Sequence, residues 1–383
     1  MNEFSVKTQI CFGDALPELA KRMHRVFVVT DRFMDESGKI AYVTDRLTAA
    51  GAEYTVFSDI DGEPDISVVS AGVESLDRFA RGSDAGCDAV VTLGGGAAID
   101  AAKAVVYMMN QLGGSRQPFF VVIPTTSGTG SEVSRYAVIS DKKEEAKYPL
   151  AEESFLPDAA VLDAALVVSA PPSVTADTGI DAFTHAVEAF VSSGHTDFSD
   201  AMAEKAMKLV RSNLVKAFRD PGNLEARQGM HNASCMAGIA FSNAGLGLNH
   251  GMAHALGAHF HIPHGRANGI LLPYVISFNA GCHEQLTETA ERYARISRLL
   301  HLEGNSIRQS DLTLIRVIRG YIETLKMPAT IKAAGVSEDQ FYAELDDMSG
   351  DALADGCTAT NPRKVTKEEI RQIYEKAYYG KLP

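Results

Sequence analysis

The 383-residue sequence predicts an α/β fold in which a doubly wound parallel sheet is followed by an all-helical half. Two features of the sequence support this prediction. Short β-branched runs alternate with helical patterns over residues 1–140, as in parallel sheets that carry helices on both faces. Beyond residue 173, only long helical patterns rich in Ala, Met and Leu follow.

The strands of the first half are expected to be short and continuously apolar, because both faces of such a sheet are buried. We predict strands over 26–30, 54–58, 88–93 and 119–123. Helices are predicted up to residue 50, with Gly51 as a C-cap, and over 66–79.

The second half is predicted to contain helices over 177–191, 200–218, 225–241 and 284–300. The pattern changes after Pro171-Pro172, and we therefore place the domain boundary at residue 173. Residues 1–173 then form the α/β domain and residues 174–383 form the all-α domain. We expect a cleft between them, because such clefts are favoured places for a ligand.

The composition limits the partners of the protein. Lys and Arg number 36 and Asp and Glu number 49, so the formal charge is −13, and neither nucleic acid nor a membrane is expected as a partner. The first residues do not have the pattern of a signal peptide, and no run of about 18 apolar residues occurs. The five cysteines are widely spaced without a CxxC pair, which favours a cytoplasmic location.

A glycine loop follows the strand predicted over 88–93. Gly94, Gly95 and Gly96 come directly before a helical pattern, and this arrangement suits a pyrophosphate group at a helix N-terminus. The alternative is a tight structural turn. Asp100, in the first turns of that helix, could cap the helix, bind a ribose or lie on a solvated face.

Two further segments also lie at predicted strand ends. Residues 124–132 (PTTSGTGSE) combine hydroxyls and glycines, which suits a nucleotide but also a plain connecting loop. Asp31 follows the strand over 26–30, where a carboxylate can accept both hydroxyls of an adenosine ribose and would repel a 2′-phosphate. A helix N-cap is the other interpretation of Asp31.

Histidines cluster in the second half of the sequence. Five of the 11 histidines fall within 250–264. Asp181 and His185 are four residues apart in a helical pattern, so both side chains can reach one metal ion. Together with His250 and His264 they would form a set that suits Fe²⁺ or Zn²⁺ better than Mg²⁺ or Ca²⁺. Spacing alone leaves open which histidines between 250 and 264 are ligands.

These segments together resemble the iron-dependent (group III) alcohol dehydrogenase family, and within it the bacterial 1-propanol and ethanol dehydrogenases of diol and ethanolamine utilisation. The matching segments are GGGAAIDAAK at 94–103, PTTSGTGSEV at 124–133, GIDAFTHAVEAFVS at 179–192, the histidine segment at 245–273 and DGCTATNPR at 355–363. They extend over nearly the whole chain.

The resemblance implies a role for each candidate residue. The metal ligands would be Asp181, His185, His250 and His264, and a catalytic histidine near the nicotinamide would be His254. The cofactor contacts would be Asp31, Gly94, Gly95, Gly96, Asp100, Thr125, Thr126, Thr129, Lys147 and Leu166, with His254 among them. The substrate pocket would include Phe241 and Cys357.

The resemblance also implies the reaction. A Rossmann-like domain would bind NAD(H), the helical domain would bind Fe²⁺, with Zn²⁺ as an alternative, and hydride would pass between NAD(H) and a short-chain primary alcohol or aldehyde. Propanol with propionaldehyde and ethanol with acetaldehyde are the expected pairs.

Other functions stay open. They are a lactaldehyde, 1,2-diol or butanol oxidoreductase, a glycerol dehydrogenase, a dehydroquinate synthase-like enzyme and a non-catalytic nucleotide-binding scaffold. We expect a homodimer or higher homo-oligomer in the cytoplasm, with association with a bacterial microcompartment as a further alternative.

Overall fold

The apolar runs of the first half form a parallel sheet. The computed structural model describes residues 3–84, 86–112, 117–141, 146–302 and 304–381. Its strands are β1 (Gln9–Phe12), β2 (Arg25–Thr30), β3 (Glu53–Phe57), β4 (Ala89–Gly94), β5 (Phe119–Pro124), β6 (Tyr136–Asp141), β7 (Ala146–Ala151) and β8 (Ala159–Leu162). Six of them pair in the order β1-β8-β5-β4-β2-β3 with parallel neighbours, and β6 and β7 form a separate antiparallel pair.

The helices fall into two sets. With the sheet lie α1 (Leu16–Ala20), α2 (Arg32–Glu36), α3 (Ala41–Ala49), α4 (Ile66–Arg81) and α5 (Gly96–Gln111). After the last strand come α6 (Pro172–Val191), α7 (Asp197–Arg219), α8 (Leu224–Ala244), α9 (Leu248–Phe260), α10 (His264–Ala280), α11 (Ala290–Leu299), α12 (Ile307–Thr324), α13 (Glu338–Ala354) and α14 (Lys367–Tyr379). The predicted α/β fold class is confirmed.

The chain divides into two units. One is Ser5–Ser169, and the other is Ala170–Pro383 together with Met1–Phe4. The assignment of cofactor binding to the first and metal binding to the second stays a prediction.

Successive residues of the central strands enter opposite apolar clusters. Phe27 and Val29 pack on one side of the sheet, and Val26 and Val28 pack on the other. All four are fully buried. This two-sided burial explains why β2 has no polar–apolar alternation.

The strand order places three loops at one edge of the sheet. β2 lies between β3 and β4, so the chain changes direction across the sheet at this point. Thr30 pairs with Leu93, and Gly94 pairs with Pro124, so β2, β4 and β5 end in register. Ligands bind at such a switch point, beyond the carboxyl ends of the strands.

The sequence patterns missed or misplaced several elements. β8 and the β6–β7 pair were not predicted, and α11 begins at Ala290 instead of residue 284. Gly281 ends α10 in the left-handed conformation at φ 66°, and the Thr287 hydroxyl and N–H donate to the carbonyls of Asn279 and Ala280. These local hydrogen bonds favour turns before α11.

The helical unit is built around its own apolar core. Leu248, Met252 and Leu256 of α9 pack with Phe341 of α13 and Tyr374 of α14, all completely buried. In the part of the chain that the structure describes, no strand follows β8, as predicted. Among the same residues no helix has both the length and the apolar character needed to cross a bilayer.

Candidate functional site

The glycine loop joins β4 directly to α5. Gly95 is the N-cap of α5 and supplies no capping side chain. A Cβ on Gly96 would lie 2.7 Å from Thr129 Cγ2, and one on Gly95 would lie 3.4 Å from Thr126 Cγ2. The two predicted phosphate-binding loops therefore pack against each other, and the N–H groups of the first turn of α5 lie at their junction.

Asp31 lies at the same junction. Its carboxylate caps α2 by accepting from the Met34 N–H at 2.9 Å, and a Cβ on Gly94 would lie 3.1 Å from its Oδ2. Thr125 N–H donates to the Gly94 carbonyl at 2.9 Å. Burial raises the pKa of Asp31. The helix-cap interpretation is thus confirmed, and the capping carboxylate also lies beside the glycine loop, where a cofactor contact stays a prediction.

Asp100 of α5 holds the loop at 124–132 through hydrogen bonds. It accepts from the Ser131 hydroxyl at 2.6 Å and from the Val138 N–H at 3.0 Å. Gly95 is the N-cap of α5, so the helix-cap interpretation of Asp100 is wrong. The Asp100 carboxylate is engaged by this loop and β6 instead of lying on a solvated face, and a ribose contact stays a prediction. Lys103, which is 1% exposed, donates to the Ser131 hydroxyl and the Tyr136 carbonyl, and burial lowers its pKa to about 8.

The two remaining predicted cofactor residues lie elsewhere in this unit. Leu166 ends a 3₁₀ turn after β8 and packs against the apolar cluster on one face of the sheet. Lys147 belongs to β7, and its side chain lies outside the part of the chain that the structure describes.

The predicted metal ligands come together in the helical unit. Asp181 and His185 share one face of α6, His250 lies in the first turn of α9, and His264 begins α10. Each offers one nitrogen or oxygen atom, and the four atoms lie within 4.8 Å of one another. Nε2 of His264 and Nε2 of His250 are 3.4 and 3.7 Å from Asp181 Oδ1.

The buried carboxylates favour a positive charge in this cluster. Burial alone would raise the pKa of Asp181, but the three histidines hold it below its usual value, so the carboxylate is ionised. Burial lowers the pKa of His264 to about 3, which leaves this imidazole neutral. Burial also opposes a charge on His250, but Glu188 and Asp181 outweigh it and raise its pKa to about 9.

The donor set fits a divalent transition metal. The amide nitrogen of Asn268 lies 2.8 Å from Asp181 Oδ1 and within 3.2 Å of Nε2 of both His250 and His264. One oxygen and two nitrogen atoms of the predicted ligands therefore surround the partially positive NH₂ group of Asn268. Three imidazoles with one carboxylate suit Fe²⁺ or Zn²⁺.

Residues beside the cluster were also predicted from the sequence. The His254 ring stacks on that of His264, with centroids 5.2 Å apart, and Phe241 stacks on His185 at 4.5 Å. Cys357 lies with His254 and Asp355 in a second group of donor atoms. Burial raises the pKa of the Cys357 thiol well above its ordinary value, so it is a neutral side chain.

The two other histidines of the sequence cluster lie outside the ligand group. His259 contacts Glu344 and Asp351, each at 2.9 Å, on the outer part of α9. His261 ends α9 in the left-handed conformation at φ 54°.

Sequence reasoning missed three side chains that contact the site residues. Glu188 contacts His250 Nδ1, Asn268 contacts Asp181, and Asp355 contacts His254. Two of them left a signal in the sequence. Glu188 is seven residues after Asp181 and Asn268 is four after His264, so each shares a helix face with a predicted ligand.

The chain matches family models over nearly its whole length. Residues 8–164 match the model described as iron-containing alcohol dehydrogenase, and residues 175–378 match the C-terminal model of the Fe-containing alcohol dehydrogenase family.

Individual proteins agree with these matches. The 1-propanol dehydrogenase PduQ of Salmonella typhimurium is 41% identical over 98% of this chain and 99% of its own. The NADPH-dependent butanol dehydrogenase of Clostridium saccharobutylicum is 37% identical, with 99% of each covered. A 1,3-propanediol oxidoreductase crystal structure has a TM-score of 0.90 and 31% identity over 99% of this chain and 100% of its own. The chain belongs to the iron-containing alcohol dehydrogenase family, and it is, as predicted, an oxidoreductase of alcohols and aldehydes with NAD(H) and Fe²⁺ as cofactors.

Proposed function

We propose that this enzyme interconverts a short-chain primary alcohol and its aldehyde, with propanol and propionaldehyde or ethanol and acetaldehyde as the substrate pairs. The observation that carries the proposal is the convergence of Asp181, His185, His250 and His264 within 4.8 Å, with Phe241 stacked on one of them. Relatives named for 1-propanol and butanol support short primary alcohols.

These four side chains would hold the iron, and Asp31 with the glycine loop at 94–96 would hold the dinucleotide. When bound, the two groups supply Lewis acidity toward the substrate oxygen and hydride exchange at the nicotinamide. The side chains of the protein shape the substrate pocket and move the proton.

Phe241 limits the space beside the proposed ligands. It is 5% exposed, and its ring covers one face of His185 at a centroid distance of 4.5 Å. An apolar wall next to a polar centre favours a short alkyl chain and excludes water from it. Cys357, as a neutral thiol, adds a second weakly polar surface.

His254 is the group we propose to move the proton. Its Nδ1 faces Asp355 Oδ2 at 2.8 Å, so Nε2 is the atom left to exchange a proton. The side chain is 24% exposed, which gives it access to water. An imidazole is suited to proton transfer near neutral pH.

A phosphorylated or highly anionic substrate has less support. Arg266 is the fixed positive charge nearest in sequence to the proposed ligands, two residues after His264. Its guanidinium is paired with Asp177 at 3.0 Å. A dehydroquinate synthase-like reaction would need several free cations at the site, so the alcohol substrate is favoured.

The proposal is tested with a panel of C2–C4 aldehydes, 1,2-propanediol, lactaldehyde and glycerol, assayed with NADH or NAD⁺ on protein of measured metal content. We expect propionaldehyde or acetaldehyde to give the highest kcat/KM. A preference for glycerol or for a diol would overturn the substrate proposal. His250→Ala and His264→Ala should lose metal and turnover together, whereas His283→Ala, an exposed histidine of the same unit, should keep both.

The assembly and location are part of the same proposal. We propose a homodimer in the cytoplasm, and association with a bacterial microcompartment remains a prediction from the resemblance. Light scattering of the purified protein measures the first, and fractionation of cells measures the second.

A further inference from the structure

Glu188 is a buried carboxylate that contacts one of the proposed metal ligands, His250, without being a ligand itself. It lies on α6, three residues after His185, and is 3% exposed. Its Oε2 contacts Nδ1 of His250, and its Oε1 accepts the backbone N–H of Asn249 at 2.8 Å. Both oxygens are thus used at the beginning of α9.

This contact determines which nitrogen of His250 can bind a metal. Nδ1 faces Glu188, and Nε2 faces Asp181 Oδ1 at 3.7 Å. With a metal on Nε2, the remaining ring proton must sit on Nδ1, where the Glu188 carboxylate accepts it. Such a carboxylate fixes the orientation of an imidazole ligand and increases its basicity.

The charge of Glu188 also matters. Asp181 and Glu188 are both 3% exposed, and together they supply two negative charges to one buried cluster. Arg266 is engaged with Asp177, so it does not neutralise them. Two buried carboxylates balance one divalent cation, and a buried charge without a counter-charge is costly.

The backbone at Gly247 lies directly against the Glu188 carboxylate. A Cβ on Gly247 would lie 2.8 Å from Glu188 Oε1 and 3.0 Å from Asn361 Oδ1. Asn361 Oδ1 in turn accepts the Leu248 N–H at 3.1 Å. The first turn of α9, which carries His250, is therefore packed directly on the Glu188 carboxylate.

We propose that Glu188 is a positioning residue of the metal centre: it orients His250 with Nε2 toward the metal and supplies the second negative charge that a divalent cation needs there. This inference rests on the proposed ligand set. It deepens that assignment, because it identifies a residue that sets metal affinity without binding the metal.

The test is the affinity of the metal-free protein for Co²⁺, measured by competition with a chromophoric chelator and by the visible spectrum of the bound Co²⁺. We expect Glu188→Gln to weaken Co²⁺ binding about 10- to 100-fold and to alter the spectrum, because His250 loses its charged partner. Glu188→Asp keeps the charge with a shorter reach, and it should bind Co²⁺ more tightly than Glu188→Gln but less tightly than wild type.

The control is Glu204→Gln, which removes a carboxylate of α7 that pairs with Arg295 and should leave Co²⁺ affinity unchanged. Wild-type affinity and spectrum in Glu188→Gln would overturn the inference while leaving the ligand set intact. If the wild-type protein itself bound no Co²⁺, the proposed ligand set would be wrong, and the inference about Glu188 would fall with it. Should Glu188→Gln not fold, wild-type affinity in Glu188→Asp would be the overturning result.

Discussion

His254 and Asp355 are joined by a 2.8 Å hydrogen bond between Nδ1 and Oδ2, although 101 residues separate them in the sequence. Burial opposes ionisation of Asp355, but His254 and the Cys357 N–H outweigh it and lower the pKa of the carboxyl to about 2. The carboxylate is therefore the acceptor, and Nδ1 of His254 is the donor. This arrangement holds one tautomer of the ring, as a buried aspartate does for a catalytic histidine in hydrolases.

Asp355→Asn should lower kcat about 10- to 100-fold, because the neutral amide no longer holds and polarises the His254 ring. The KM for the aldehyde and the metal content should change little, since Asp355 is not one of the proposed ligands. Steady-state kinetics with metal analysis of the same sample measure all three quantities.

The matched control is Asp346→Asn, which removes an exposed carboxylate of α13 that pairs with Lys367. It should retain wild-type kcat. If Asp355→Asn and Asp346→Asn had the same kcat, the proposed role of the His254–Asp355 pair would be contradicted.

Gly265→Ala should damage the metal site from the backbone. A Cβ at Gly265 would collide with the carbonyl oxygen of Asp177, and backbone atoms cannot swing aside as a flexible side chain can. The start of α10, with His264, would have to shift. We expect the free energy of unfolding to fall by about 1–3 kcal/mol and Co²⁺ affinity to fall with it.

Gly320→Ala is the control for this substitution. Gly320 lies in α12, and a Cβ there meets nothing within 4 Å. Alanine is a better helix former than glycine, so this variant should be stabilised by up to about 1 kcal/mol. Urea unfolding of both variants gives the comparison, and a Gly265→Ala protein as stable as Gly320→Ala would contradict the predicted collision.

Asp31→Ser tests the preference for NAD(H). Serine caps a helix about as well as aspartate, so the cap of α2 should survive while the negative charge beside the glycine loop is removed. A like charge next to the 2′-phosphate of NADPH is repulsive, and its loss should raise the ratio of kcat/KM for NADPH to that for NADH about tenfold or more.

Asp45→Ser, an exposed position of α3, removes the same charge and should leave the cofactor ratio unchanged. An unchanged ratio in Asp31→Ser would show that the preference is set elsewhere. The comparison has particular interest because the Clostridium relative is named as NADPH-dependent.

Most of the fold can be predicted from the sequence, because the long strands and helices each have a recognisable pattern within their own residues. β2, β4 and β5 are six-residue strands made mostly of apolar residues, and each was predicted. β1 (QICF) and β8 (AAVL) have four residues each, too few to show a pattern, and only their pairing with each other and with β5 identifies them as strands.

The residues of the site also fall into those that the sequence pattern predicts and those that only contacts between helices identify. Asp181 and His185 were predicted from spacing within one helix, and the choice of His250 and His264 as ligands rests on the resemblance. Glu188 is also on that helix, but a single Glu in an apolar pattern gives no sign of a partner on α9. Asp355 depends on a contact between α9 and the end of α13, which spacing cannot show.

Asp311→Asn should stabilise the protein. Asp311 lies on α12 with no exposed surface, and within the described ranges neither carboxyl oxygen has a hydrogen-bond partner. Burial raises its pKa to about 7, from an ordinary value of 3.8. An ionised carboxylate without a partner is costly, so the neutral amide should raise the free energy of unfolding at pH 8 by about 1–3 kcal/mol.

The pH dependence gives the sharper test. Because the pKa of Asp311 is higher in the folded state, the folded protein binds more protons than the unfolded chain between about pH 4 and pH 7. This group therefore makes stability fall as the pH rises through that range, and the penalty is fully present above pH 7. Asp311→Asn should remove this part of the decline, whereas the exposed Asp347→Asn should follow the wild-type profile in urea unfolding. If the difference between Asp311→Asn and wild type were the same at pH 5 and pH 8, the effect would come from packing and not from the buried charge.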